Sequence, residues 1–162
     1  MSSHPGMLRF GYDPELLMNR EAQTIFNGKT GDCFRTCVAN VLELPLDDVP
    51  NFCAHEDWWI RLQAWLKPLN LFFCEIMNEG GKSPMPTLPP LSNGAMCIAA
   101  GIGPRGVRHA IVCRYRHSSE NNKHWLELAH DPHPDSDGVE KVDTVGWFMV
   151  IDPAKPILKA AE

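Results

Sequence analysis

No stretch of this chain approaches the roughly 18 consecutive apolar residues that a membrane-spanning helix needs, which argues against a transmembrane protein. Met1 to Phe10 likewise lacks the apolar core of a secretory signal. Basic charge is scarce: 15 Lys and Arg stand against 20 Asp and Glu, giving a net charge of -5 without a basic cluster. A nucleic-acid surface, which must neutralise phosphates, is therefore not expected. Internal repeats are absent, and so is the dense, short cysteine spacing of a disulfide-stapled secreted scaffold. The six cysteines Cys33, Cys37, Cys53, Cys74, Cys97 and Cys113 lie in apolar surroundings. They read mostly as reduced core residues, and a reducing cytoplasm is the expected compartment. A chain of 162 residues can bury a core without a metal or staples, so residues 1–162 are expected to form one domain.

What is present divides into helices first and strands afterwards. Phe34, Cys37, Val38, Val41 and Leu42 fall at i, i+3, i+4, i+7 and i+8, predicting a helix from Asp32 to about Leu44, ahead of Pro45. Trp58, Trp59, Leu62, Trp65 and Leu66 predict a second helix over His55 to Lys67, with its tryptophans in the core. A weaker helical pattern covers Pro14 to Ala22, and Asn27-Gly28-Lys29 suggests a turn. Leu71 to Ile76 has strand length and aromatic content, as do Ala95 to Ile102, Arg108 to Arg116, His124 to His130 and Val145 to Ile151. Ser118 to Lys123 has the composition of a hairpin turn, and the tail after Asp152 reads as a surface strap. Met77 to Gly94, rich in proline and glycine, is either a lid beside a cleft or a passive insertion. This segregation predicts an α+β fold with N-terminal helices packed on a largely antiparallel C-terminal sheet.

Cys33 falls in the first turn of the first predicted helix, where free backbone N–H groups and the helix dipole favour a thiolate. A cysteine hydrolase also needs a base, a group to orient that base and donors for the oxyanion. His109 begins a strand whose neighbours Ile111 and Cys113 would hold it rigidly. The glycines between Gly101 and Gly106 would let substrate or helix approach it. If the strands around His109 and His124 to His130 form a hairpin, Asp131 emerges level with His109. Asp152 is a second candidate orienter.

The run Gly31-Asp32-Cys33-Phe34-Arg35-Thr36-Cys37-Val38-Ala39-Asn40-Val41-Leu42, then Leu46 to Phe52, the strand Arg108-His109-Ala110-Ile111-Val112 and the segment Ala129 to Pro134 carry a resemblance. Together they resemble small papain-like proteins common in bacteriophage genomes and similar to the bacteriocin-leader-processing cysteine peptidases. The resemblance covers about residues 23–152. It implies a papain-like fold, with Cys33 as nucleophile, His109 as general base and acid, and Asp131 as orienter. It also implies a glutamine oxyanion donor upstream of the cysteine. Gln23 is the preferred residue, being the one glutamine before Cys33, while Asn27 lies nearer the customary distance. The expected partner is a peptide or protein substrate.

Competing readings follow from other residues. His130, Asp131, His133, Asp135 and Asp137 crowd one loop, but their spacing matches no zinc set. A calcium loop fails too, with His133 where an acid should open it and Thr144 where glutamate should close it. No metal or other cofactor is expected. The alternative function is a catalytically inactive papain-like binding protein that blocks a host factor, with Met77 to Gly94 as its contact surface.

Overall fold

The computed structural model describes residues 21–27, 31–78, 83, 85–135 and 138–158. The helical pattern at Pro14 to Ala22 lies outside these residues except for Glu21 and Ala22, which are irregular, and of the Asn27-Gly28-Lys29 turn only Asn27 is described. The architecture is α+β. Helices α1 (Cys33–Leu42) and α2 (Trp58–Leu66) precede strands β1 (Leu71–Met77), β2 (Met96–Ile102), β3 (Arg108–Ser118), β4 (Lys123–His130) and β5 (Lys141–Val150). The five strands form one sheet in the order β1-β5-β2-β3-β4, and every neighbouring pair is antiparallel.

Helix α1 stops because Glu43 takes a left-handed backbone conformation (φ 55°) and its N–H turns back to the carbonyls of Ala39 and Asn40. The stop thus comes before Pro45. Asn70, also left-handed (φ 64°), ends the short 3₁₀ turn Lys67–Leu69 that follows α2. The Asn70 amide then donates to the carbonyls of Asp152 and Lys155, fastening the C-terminal strap across the base of β1.

The alternation of side chains along the strands splits the core into two layers. On one face, Phe73, Ile98, Ala110, Val112 and Phe148 pack with Phe34, Cys37, Val38 and Val41 of α1 and with Leu62 and Leu66 of α2. On the other, Cys97, Ala99, Ile111, Cys113, Tyr115, Val145 and Trp147 form a second cluster. No helix covers that second face among the described residues. Leu88 and Leu91 do so instead, drawn from the proline-rich segment after β1. The described part of that segment therefore packs on the sheet face away from α1.

Two glycines permit close approaches within the sheet. A Cβ on Gly146 would stand 2.1 Å from the Phe73 ring, so the ring can lie over β5 only because Gly146 has no side chain. Gly101 sits at the irregularity where β2 and β5 shift register, and its Cβ would meet the Lys141 carbonyl at 1.8 Å. At Gly101 the missing side chain serves close backbone contact between the two strands.

Candidate active site

Helix α1 packs against β2 and β3 but leaves part of the same sheet face open beyond its N-terminus. There a cleft of about 280 Å³ is bounded by Asn27, Gly31, Cys33 and Phe34 on the helix side and by Phe73, Ile98, Ala100, Ala110 and Thr144 on the sheet. Trp58, from the first turn of α2, lines the same cleft and meets Phe34 edge to face with ring centroids 5.6 Å apart. The expectation that all the α2 tryptophans belong to the core is thus too simple. Only Leu62 and Leu66 of this helix are fully buried, and its first turn reaches the rim.

The structure brings Cys33, His109 and Asp131 together at the end of this cleft. Antiparallel pairing of β3 with β4 sets Val112 opposite His130, which delivers the next residue, Asp131, to the level of His109. His109 Nε2–H donates to Asp131 Oδ1 at 2.7 Å, with both side chains almost wholly removed from solvent. The Cys33 thiol shares a hydrogen bond with the same ring. Because Nε2 is engaged by the carboxylate, Nδ1 is the nitrogen that faces sulfur. Asp131 is itself held by two further donors, the backbone N–H groups of His133 (2.9 Å) and Gly138 (2.8 Å).

Burial acts against a charged His109 ring, yet the hydrogen bonds and negative charges of Asp131 and Cys33 outweigh it and raise the pKa to about 9. Burial likewise opposes ionisation of Asp131. The hydrogen bond from His109 and the two backbone N–H donors prevail, and its pKa is lowered. The arrangement therefore favours a protonated His109 ring against the Asp131 carboxylate near neutral pH.

A stability profile follows from these shifts. His109 binds its proton more tightly in the folded state than in the unfolded chain, so its stabilisation is fully present below pH 6.5 and is lost as pH rises through about 9. Asp131 has the opposite sign: its stabilisation is present above the ordinary carboxylate range and is lost as pH falls through its lowered pKa. The urea midpoint should hold a plateau between about pH 4.5 and 6.5 and fall towards pH 9. His109→Ala should flatten the alkaline limb.

The segment before α1 is fastened from three sides. Asn40 accepts from the Glu21 backbone N–H at 2.9 Å and donates to the Glu21 carbonyl, while the Gln23 N–H reaches the Pro132 carbonyl. Asp32, fully buried, accepts from the backbone N–H of Thr24 and Ile25 and from the Thr24 hydroxyl. Its carboxylate stands at the N-cap position but does not cap α1, and among the described residues no side chain does. Cys33 opens the first helical turn, where backbone N–H groups have no intrahelical partner, and it borders the cleft. Asp32 and Asn40 are positioning residues that the sequence reading missed. The available signal was a buried Asn on an otherwise apolar helical face and an Asp directly ahead of Cys33.

The structure places the two upstream candidates differently. Gln23 is buried outside the cleft, with its amide nitrogen donating to the Ile25 carbonyl at 3.0 Å. Asn27 borders the cleft instead, where Gly31 allows its backbone to pass within reach: a Cβ there would lie 2.4 Å from the Asn27 carbonyl oxygen. Asp152 is remote from His109, its backbone and side chain serving the C-terminal strap. Cys37 is completely buried, and burial pushes its thiol well up. Among the described residues no group of three or more His, Cys, Asp or Glu is placed to hold a metal ion, Asp137 lying outside them. Among the same residues no helix is long and apolar enough to cross a membrane. The Met77 to Gly94 segment contributes nothing to the cleft lining among its described residues.

No protein-family model, no curated protein and no solved structure matches this chain.

Proposed function

We propose that the protein is a papain-like cysteine hydrolase, a peptidase or amidase that works through an acyl-enzyme. The observation that carries this reading is the continuous contact from Cys33 through His109 to Asp131 at the mouth of an apolar cleft. The Cys33 sulfur attacks the amide carbon, forming a C–S bond as the carbonyl electron pair moves onto oxygen. The Cys33 backbone N–H and the Asn27 side chain receive that oxyanion. His109 Nδ1–H then protonates the leaving amine as the C–N bond breaks. Water, losing a proton to the now neutral Nδ1, attacks the thioester and releases acid and the Cys33 thiolate. Asp131 keeps the ring oriented throughout. The free thiols at all six cysteines support a reducing compartment, the cytoplasm, as the place of action.

The test is site-resolved alkylation by iodoacetamide at neutral pH, read by mass spectrometry on the native protein. Labelling should be fast and confined to Cys33, because burial raises Cys53, Cys97 and Cys113 to about 12, Cys37 well above its ordinary value and Cys74 upward as well. Cys33 reacting no faster than the other five thiols would overturn the hydrolase reading in favour of a binding protein on the same fold.

A further inference from the structure

The cleft beside Cys33 holds three groups that carry charge, and two of them are matched. His109 lies between Asp131 and Cys33, and Arg108 pairs with Asp143 at 3.2 Å. The third is Glu75 on β1, half-buried, with no hydrogen bond or ion pair among the described residues. Its surroundings are apolar and aromatic, with Phe34, Trp58 and Phe73 lining the same space. The cross-strand partner of Glu75 is Gly146, which offers no side chain to cover or neutralise it, and the Phe73 ring lies over that glycine. A half-buried carboxylate without a partner is costly, and that cost falls when a cation enters. Aromatic faces add to the attraction for an ammonium or guanidinium group.

We propose that Glu75 is a specificity determinant that selects substrates carrying a lysine- or arginine-like side chain close to the scissile acyl group. The inference rests on Cys33 being the nucleophile, and it assigns the chemistry of the substrate that reaches it. The apolar stem of such a side chain packs along Phe34, Trp58 and Phe73 while its charged end meets the Glu75 carboxylate.

Three blocked aminoacyl chloromethyl ketones test this, with lysine, norleucine or glutamate as the side chain, each followed by mass spectrometry of Cys33 adducts. Norleucine matches lysine in length without its charge. The lysyl reagent should label Cys33 about tenfold faster than the norleucyl one, and the glutamyl reagent should be slowest. Glu75→Gln should bring the lysyl-to-norleucyl ratio close to one, and Glu75→Lys should place the glutamyl reagent first. A ratio near one in the native protein, or a preference that survives Glu75→Gln, overturns the proposal. The norleucyl rate at Cys33 relative to Cys53, which borders the same cleft, reports separately on the nucleophile, so the two readings fail by different measurements.

Discussion

His109→Ala should slow iodoacetamide alkylation of Cys33 at neutral pH by roughly tenfold to thirtyfold and acylation from a peptide amide by about a thousandfold or more. The two losses differ because they count different functions of one ring. Alkylation needs only the thiolate, and an ordinary thiol is just a few per cent ionised at neutral pH. A His109 ring with its pKa raised to about 9 is protonated near neutral pH and would stabilise a Cys33 thiolate beside it. Acylation from an amide needs that thiolate and also a proton for the departing nitrogen, which Nδ1–H supplies. The second demand accounts for the additional loss, typically about a hundredfold or more for a positioned general acid. Parallel measurement of both rates on one variant therefore separates ion pairing from proton transfer. A His109→Ala protein that alkylates at Cys33 as fast as the native chain would end the assignment of His109 as base.

The elements that position these groups differ in how plainly the sequence announces them. Helix α1 and the place of Cys33 in its first turn are readable because the period of Phe34, Cys37, Val38, Val41 and Leu42 is a local property. The β3–β4 hairpin is readable for the same reason, since a short polar turn leaves little choice of partner, and it brings Asp131 to His109. Strand order is another matter. β5 inserts between β1 and β2, a long-range pairing that depends on Gly146 beneath Phe73 and on Gly101 against Lys141, contacts with no local signature.

The covering of the second sheet face by Leu88 and Leu91 was equally hidden, because a proline-rich segment has no period from which to read its inward side. The two upstream candidates show the same limit at the scale of one side chain. Distance along the chain ranks Gln23 and Asn27, but their places are decided by what Asp32 and Asn40 hold.

Asp32→Ala should lower stability by about 3 kcal/mol, because it leaves two backbone N–H groups and a hydroxyl without their acceptor. Those donors belong to Thr24 and Ile25, and the carboxylate that receives them is completely shielded from solvent. Asp32→Asn keeps one acceptor oxygen and most of the shape, so its urea midpoint should fall about half as far as that of Asp32→Ala. The milder variant is the more informative for function. Asp32 makes no contact with His109 among the described residues, so Cys33 in folded Asp32→Asn should still alkylate at close to the native rate. Acylation should nevertheless fall, because the loosened Thr24–Ile25 segment leads into Asn27, the residue that borders the cleft beside Cys33. Equal losses of alkylation and acylation would mean that Asp32 acts on the thiolate itself, through the start of α1, and not through the donor opposite it.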